Sequence, residues 1–219
     1  MKPAHVDYRV YLVTDRPLCL GRDLLDIVRQ AVHAGVGLVQ LREKQASTRA
    51  FVELGRSVRA ITSKASIPLL INDRIDVALA VGADGVHIGQ SDMPFADARK
   101  ILGPDKIVGL SIDTWEQLLQ ANQLDLDYLG IGPVFPTTTK TDTSGEWGIA
   151  GITRARAASV HTLVGIGGIT KDNAGQVIGA GAHGIAVVSA ICSAPSPARA
   201  VKDLRTAVEQ GRRSYQTRL

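Results

Sequence analysis

Cysteine is scarce in this sequence, and its scarcity argues against two classes of site. The chain has 219 residues and two cysteines, Cys19 and Cys192, which lie far apart and lack the spacing of metal ligands. A disulfide framework and a zinc site are therefore not expected. We predict that both thiols are buried or incidental.

Long apolar runs are also missing. No stretch approaches the roughly 18 to 20 apolar residues of a membrane-spanning helix, and residues 1–7 lack the apolar segment of a signal peptide. The sequence therefore predicts a cytoplasmic protein with no membrane partner.

Charge of one sign is not concentrated either. The net charge is +4, but Lys and Arg are interspersed with acidic residues except in a short basic tail that starts at Arg212. This distribution does not predict a nucleic-acid partner, and the tail is interpreted as a solvated chain end.

The chain does contain a repeated alternation of short apolar segments with helical patterns. Their near-continuous apolar character is typical of parallel strands covered on both faces. Between them, apolar residues fall at helical spacing, as in Leu24, Ile27 and Val28. The predicted strands are eight in number, at residues 10–14, 38–41, 69–71, 85–88, 107–110, 128–131, 163–166 and 184–188.

This pattern predicts an α/β fold, a single-domain (β/α)₈ barrel of the TIM type over residues 1–219, with residues 1–8 and 212–219 as flexible ends. An open doubly wound sheet is the alternative. The number of strand-helix units, and the lack of a GxGxxG motif after the first strand, disfavour it.

A weak internal repeat supports the barrel. Gly35, Gly82 and Gly181 each stand shortly before a predicted strand. We expect each to end a helix in the left-handed conformation, which glycine adopts without steric cost.

The end of the second strand carries two cations. In barrels of this type the reactive side chains come from the carboxyl ends of strands, and alternation sends Gln40, Arg42 and Lys44 to one side. Two cations and an amide suit a polyphosphate. A solvated strand end is the alternative, and a Schiff-base role for Lys44 would need a desolvated amine.

Two carboxylates follow the next strands. Asp73 comes after Asn72 at the end of the third strand, and Asp92 follows the fourth. Carboxylates on adjacent strands can share one Mg²⁺, which takes one or two carboxylates plus substrate phosphate oxygens. The alternative is that each Asp caps the following helix.

The fifth and sixth strands supply hydroxyl groups. Ser111 has no adjacent base that would make it a nucleophile, so we assign it to hydrogen bonding. After the sixth strand, a polar loop with Thr137, Thr138, Thr139 and Lys140 is suited to folding over anionic ligands.

The last two strands end in a glycine-rich segment and a serine. Gly168 lies in a GxGG segment after the seventh strand, and Val188 and Ser189 follow the eighth. Loops at these places often form the phosphate site of a barrel. The five histidines share no ligand spacing, and His87 is interpreted as a core or rim residue.

In order and spacing, these motifs resemble the thiamine phosphate synthase family over nearly the whole chain. The resemblance implies that 4-amino-2-methyl-5-hydroxymethylpyrimidine diphosphate and a thiazole phosphate condense to thiamine phosphate and pyrophosphate. The matching segments are Gln-Leu-Arg-Glu-Lys at 40–44, Asn-Asp at 72–73, Gly-Gln-Ser-Asp at 89–92, Gly-Leu-Ser at 109–111, Gly-Pro-Val-Phe-Pro-Thr-Thr-Thr-Lys at 132–140 and Gly-Ile-Gly-Gly-Ile at 165–169.

The resemblance also implies roles for individual residues. Mg²⁺ is expected on Asp73 and Asp92. The expected contacts of the pyrimidine diphosphate are Gln40, Leu41, Arg42, Glu43, Lys44, Asn72, Ser111 and Lys140. Those of the thiazole phosphate are Thr137, Thr138, Thr139, Gly168, Val188 and Ser189. The expected catalytic residues are Arg42, Lys44, Ser111 and Lys140.

Two features depart from the family pattern. Asp113 stands where the family often has a His, and residues 141–147 match no pattern. A related thiazole tautomerase resembles this chain but relies on that His, so Asp113 disfavours it. A regulator that binds thiamine precursors without turnover is the other alternative, disfavoured because the cations and carboxylates are present. The expected partners are phosphorylated small molecules, and the oligomeric state is left open, a homo-oligomer included.

Overall fold

Eight parallel strands close into a barrel in the computed structural model, which describes residues 5–137 and 145–217. Each strand pairs with the next in sequence, and β8 pairs with β1 to complete the ring. The predicted (β/α)₈ barrel is confirmed. The strands are β1 (Val10–Val13), β2 (Leu38–Leu41), β3 (Leu69–Asn72), β4 (Gly85–Ile88), β5 (Ile107–Ile112), β6 (Tyr128–Ile131), β7 (Leu163–Ile166) and β8 (Gly184–Val187).

Helices cover the outside of the barrel, and a short 3₁₀ turn at Pro17–Cys19 follows β1. They are α1 (Leu24–Ala34), α2 (Thr48–Lys64), α3 (Ile75–Val81), α4 (Phe95–Leu102), α5 (Trp115–Ala121), α6 (Gly148–Ala158), α7 (Ala174–Gly179), α8 (Ser189–Cys192) and α9 (Pro197–Gln216). In the described part of the chain, no helix is long and apolar enough to cross a membrane.

The helix ends follow from local sequence. Thr114 caps α5 in a capping box with Gln117, which satisfies backbone N–H groups that the helix leaves unpaired. Gly35, Gly82 and Gly181 have φ angles of 98°, 65° and 106°, so the predicted left-handed turns before the strands are confirmed.

The sequence predicted flexible ends at residues 1–8 and 212–219, and their flexibility stays a prediction. Residues 212–216 continue α9. Near the other end, Asp7 accepts hydrogen bonds from Arg9 and forms an ion pair with Arg205 of α9.

The core has two layers. The larger lies between the barrel and the helices, where the outward side chains of the strands meet the apolar faces of the helices. The smaller fills the barrel interior toward the amino ends of the strands. It includes Leu38, Leu70, Ile107, Tyr128 and Val164. Since side chains two residues apart on a strand share a face, the next inward position on each strand lies closer to the carboxyl ends.

The inward positions nearest the carboxyl ends of the strands divide the barrel mouth into two halves. On β2, β3 and β5 they are polar, at Gln40, Asn72 and Ser111, whereas on β1 and β7 they are apolar, at Val13 and Ile166. A polar wall therefore faces an apolar wall across the interior.

Candidate active site

A cavity of about 380 Å³ opens at the carboxyl ends of the strands, and we call it the polar lobe. A smaller cavity of about 110 Å³, the glycine lobe, is lined by Thr137, Gly167 and Gly168 among others. The two lobes share lining residues and so form one continuous site. The shared residues are Ser111, Asp113, Gly130, Ile166, Ala186 and Val188.

Both predicted cations of β2 line the polar lobe, and each is held by a carboxylate. Arg42 pairs with Asp15 at 2.6 Å, and its backbone N–H donates to the Thr14 hydroxyl at 3.1 Å. Lys44 Nζ lies 2.6 Å from Asp73 Oδ2. The cations are therefore fixed at the rim. Asp15 was not among the predicted site residues, because an acid after β1 has no motif of its own.

The two predicted metal carboxylates are close enough to influence each other. Burial, together with the neighbouring Asp73 carboxyl, raises the pKa of Asp92. Asp92 also accepts a 2.7 Å hydrogen bond from the backbone N–H of Gly89, which fixes the turn after β4. Such a pair gains from a shared cation, because the cation removes the repulsion between the two charges.

The backbone at Asp73 is unusual for a residue with a side chain. Its φ angle is 62°, in the left-handed region that non-glycine residues seldom occupy and that clusters at functional sites. A 2.8 Å hydrogen bond from its N–H to the carbonyl of His87 holds this conformation. The strain places the carboxylate beside Lys44 and near Asp92.

The carboxylate pair fits Mg²⁺ better than a metal held by protein ligands alone. Among residues 5–137 and 145–217, no group of three or more His, Cys, Asp or Glu side chains is placed to bind a metal. Mg²⁺ commonly uses one or two carboxylates and completes its shell with water and phosphate oxygens. Asp73 and Asp92 match that smaller requirement.

Asn72 carries an unused hydrogen-bond donor. The residue is 8% exposed and lines the polar lobe, and within the described part of the chain its Nδ2 has no partner. An unpaired buried donor costs about 1–3 kcal/mol, so the position favours a ligand with an acceptor atom.

Two residues of the β2 motif point away from the cavity. Leu41 is fully buried between the barrel and the helices. Glu43 forms an ion pair with Arg16 at 3.0 Å, its side chain 6% exposed. Alternation along β2 explains both positions, because odd and even residues face opposite sides. The resemblance named them as substrate contacts, but their side chains lie outside the lining of both lobes.

The remaining predicted residues are divided between the lobes and other places. Ser111 and Val188 line both lobes, and Thr137 and Gly168 line the glycine lobe. Ser189 begins α8, and its side chain is not among those that line either lobe. Thr138, Thr139 and Lys140 lie outside the described residues.

The two glycines after β7 are required by close packing. Gly167 and Gly168 have φ angles of 95° and 64°. A Cβ at Gly168 would lie 2.6 Å from the carbonyl oxygen of Pro136 and 2.7 Å from the Cβ of Phe135. The segment after β6 therefore lies directly on the end of β7, and the glycine lobe forms beside this contact.

Asp113, the departure from the family pattern, lines both lobes. Its carbonyl accepts a 3.2 Å hydrogen bond from the indole of Trp147, and its N–H donates to the side chain of Gln117 at 2.7 Å. The backbone at this position is thus held from both sides of the β5 end.

A row of hydrogen bonds crosses the interior below the cavity. Gln40 Nε2 donates to the Tyr11 hydroxyl, which is 2.9 Å from the Tyr128 hydroxyl. The Tyr128 hydroxyl is 2.8 Å from His87 Nδ1, and His87 Nε2 is 2.8 Å from Ser111 Oγ. We call these five residues the floor network.

The sequence contained a signal for the floor network. Tyr11, His87 and Tyr128 all occupy inward positions, which counting by twos along their strands identifies. His87 lies within β4, below the strand ends where reactive residues were expected, and it was therefore interpreted as a core or rim residue. Burial raises the pKa of both tyrosines, so their hydroxyls stay protonated.

Known proteins of similar sequence and structure indicate the family of this chain. The family model described as thiamine monophosphate synthase matches residues 10–191. The thiamine-phosphate synthase of Leptospira biflexa is 52% identical over 200 residues, covering 90% of this chain and 95% of that protein. That of Albidiferax ferrireducens is 49% identical over 201 residues, covering 92% of each chain. A solved thiamine phosphate pyrophosphorylase from Pyrococcus furiosus has a TM-score of 0.86 and 37% identity, covering 94% of this chain and 98% of that one. The chain therefore belongs to the thiamine monophosphate synthase family.

Proposed function

We propose that this chain is a transferase that makes thiamine phosphate. It joins 4-amino-2-methyl-5-hydroxymethylpyrimidine diphosphate to 4-methyl-5-(2-phosphoethyl)thiazole and releases pyrophosphate. The observation that carries the proposal is the continuous two-lobed cavity, with cations and paired carboxylates in one lobe and glycines in the other. The names of the relatives support the same reaction.

The reaction is a substitution at the methylene carbon of the pyrimidine. The C–O bond to the diphosphate breaks, its electron pair leaves with the pyrophosphate, and the ring stabilises the resulting cation. The thiazole nitrogen lone pair then forms the new C–N bond. No protein nucleophile is needed, which is consistent with both cysteines being buried outside the cavity lining.

Arg42 and Lys44 serve the departing pyrophosphate. Charge grows on the leaving group as the C–O bond lengthens, and fixed cations at that place stabilise the transition state. Arg42 offers two parallel donors, and Lys44 offers a compact charge. Their carboxylate partners, Asp15 and Asp73, hold them at the rim before substrate arrives. The family resemblance assigns the same role to Lys140, which lies outside the described residues.

Asp73 and Asp92 would hold Mg²⁺. The bound ion supplies positive charge to the diphosphate oxygens. The carboxylate pair supports this assignment through the raised pKa of Asp92, which reflects burial and the proximity of Asp73.

The apolar half of the site protects the cation from water. Val13, Ile166 and Val188 line the polar lobe from the ends of β1, β7 and β8. A pyrimidine cation that meets water is lost to hydrolysis, so an apolar wall favours capture by the thiazole nitrogen. On the polar side, the Asn72 donor would pair with an acceptor atom of the pyrimidine diphosphate.

The test is a two-substrate assay with and without Mg²⁺. Purified protein with both precursors is expected to release pyrophosphate and form thiamine phosphate in equal amounts, and chelation of Mg²⁺ should stop both. Folded protein that gives no product above the uncatalysed rate would overturn the proposal. Isomerisation of a thiazole without pyrimidine or Mg²⁺ would instead identify a tautomerase, and tight binding of both precursors without turnover would identify a regulator.

A further inference from the structure

Each hydrogen bond of the floor network has a donor and an acceptor, and these can be assigned in order from Gln40 to Ser111. In the structure the Gln40 amide turns Nε2 toward Tyr11. Because Nε2 can only donate, the Tyr11 oxygen accepts in this orientation of the amide. Tyr11 is 1% exposed, and its own hydrogen needs an acceptor. The Tyr128 oxygen, 2.9 Å away, supplies one.

The remaining hydrogen bonds of the floor network continue this direction toward the cavity. Because Tyr128 accepts from Tyr11, its hydrogen is free to go to His87 Nδ1 at 2.8 Å. A neutral imidazole that accepts at Nδ1 carries its proton on Nε2. His87 Nε2 therefore donates to Ser111 Oγ, also at 2.8 Å.

The opposite direction leaves a buried group unsatisfied. If His87 donated from Nδ1, Tyr128 would donate to Tyr11, whose oxygen would then accept twice. The Tyr11 hydrogen would be left without an acceptor inside the barrel. Buried polar groups are rarely left unpaired, so the first direction is favoured.

We propose that His87 is a positioning residue, which the two tyrosines hold with its proton on Nε2 so that Ser111 presents its own hydroxyl hydrogen to the substrate. Ser111 lines both lobes. Its oxygen accepts from His87 Nε2, so its own hydrogen is left to donate to the substrate. The role of this donor rests on the proposed function. The tautomer of His87 does not.

Strand register explains how the rings fit. Gly109 of β5 lies opposite both His87 and Tyr128, and a Cβ there would lie 2.1 Å from Tyr128 Cζ. Tyr128 and His87 are then stacked, with ring centroids 5.5 Å apart. A glycine between two inward-facing rings thus allows the contact on which the tautomer depends.

The first experiment is a double-mutant cycle on turnover. Tyr128→Phe keeps the ring but removes the hydroxyl, and kcat is expected to fall roughly tenfold, the effect of one lost buried hydrogen bond. In a Ser111→Ala background the same change should alter kcat by less than about twofold, because the network then has no serine to position. His87→Gln, which keeps a donor, should be less impaired than His87→Ala.

The control is Tyr8→Phe. The Tyr8 ring also contacts Tyr128, at 5.0 Å between centroids, but its hydroxyl lies outside the floor network, and kcat should not change. If the kcat effects of Tyr128→Phe and Ser111→Ala simply multiply in the double variant, the proposal is overturned. Should Tyr128→Phe not fold, His87→Gln with Ser111→Ala completes the same cycle.

The second experiment needs no activity. Nitrogen NMR of ¹⁵N-histidine protein separates the imidazole tautomers, and His87→Gln assigns the His87 signals among the five histidines. We expect a protonated Nε2 and an unprotonated Nδ1 in the native chain, and a mixture in Tyr128→Phe. A proton on Nδ1 in the native chain would overturn the proposal, even if the synthase assay succeeds. If the synthase assay fails, the tautomer remains measurable.

Discussion

Lys44 and Asp73 face each other across the rim of the polar lobe, with Nζ 2.6 Å from Oδ2. The Lys44 side chain is 53% exposed, so solvent screens this pair and it adds little to stability. Its value is positional, because the same carboxylate lies beside Asp92 and the same amine lies in the cavity that Arg42 lines. Arg42 and the two carboxylates therefore converge on one part of the rim.

Removal of one carboxylate tests the metal assignment. Asp92→Ala is expected to abolish Mg²⁺-dependent turnover, because Asp73 alone gives the ion a single protein ligand. The fold should persist, since Asp92 is an edge residue of the cavity and its loss costs about 1 kcal/mol through the hydrogen bond from Gly89. Steady-state rates over a Mg²⁺ titration provide the measurement.

The matched control for that variant is Asp97→Ala. Asp97 is exposed in the first turn of α4, on a nearby segment but away from the cavity lining. Its turnover and Mg²⁺ dependence should equal those of the native chain. Near-normal turnover in Asp92→Ala would remove the metal assignment.

The carboxylate pair also predicts how stability depends on pH without Mg²⁺. Burial and the Asp73 carboxyl raise the pKa of Asp92 above its ordinary value of 3.8. The folded state thus holds this proton more tightly than the unfolded state does. The contribution of Asp92 is complete below pH 3.8 and is lost as pH rises through its raised pKa.

Thermal unfolding checks that sign. Without Mg²⁺, we expect the native chain to lose stability relative to Asp92→Asn as pH rises from about 4 to 7, because Asn carries no charge to repel Asp73. Added Mg²⁺ should raise the midpoint of the native chain at pH 7 but not that of the variant. A constant difference between the two proteins across this pH range would contradict the prediction.

Most of the fold was predictable because its signals are local. Apolar segments of strand length alternate with helical spacing, and Gly35, Gly82 and Gly181 mark the turns back into strands. The place of the site followed from topology, since parallel strands bring their carboxyl ends to one face. Arg42 and Asp73 therefore meet in one cavity although they lie on different strands.

What the sequence did not reveal depends on register between strands. The contact of Tyr128 with His87 requires that both lie opposite Gly109, and no pattern within one strand specifies that pairing. Leu41 and Glu43 belong to a matched motif, but their side chains line neither lobe. A matched motif includes every residue in a segment, whereas alternation sends only every second side chain into the barrel.

The unpaired donor of Asn72 predicts a gain in stability at the expense of function. Asn72→Leu replaces a buried amide, whose Nδ2 has no partner in the described part of the chain, with an apolar group of similar size. The free energy of unfolding is expected to rise by about 1 kcal/mol, because the unmet hydrogen bond disappears. The KM for the pyrimidine diphosphate should rise roughly tenfold, since that donor is lost to the ligand.

Asn122→Leu is the control for the Asn72→Leu variant. Asn122 Nδ2 donates to the carbonyl of Ala158 at 2.8 Å, far from the cavity lining. This variant should lose stability and keep its KM. Denaturant unfolding and initial rates on both variants decide the matter, and a less stable Asn72→Leu protein would mean that Nδ2 is satisfied in solution.

Gly109→Ala tests whether the barrel interior needs a glycine between its two rings. An added Cβ would lie 2.1 Å from Tyr128 Cζ and 2.5 Å from its hydroxyl oxygen, so Tyr128 must move. Overpacking of a core costs roughly 1–3 kcal/mol, and displacement of the hydroxyl also breaks its contact with His87. We therefore expect a loss of that order in the free energy of unfolding, together with a fall in kcat.

Gly179→Ala is the matched control, because the nearest atom to its added Cβ is the Gly211 carbonyl oxygen at 3.9 Å, an ordinary contact. If Gly109→Ala unfolds at the same denaturant concentration as Gly179→Ala, the rings do not require the glycine.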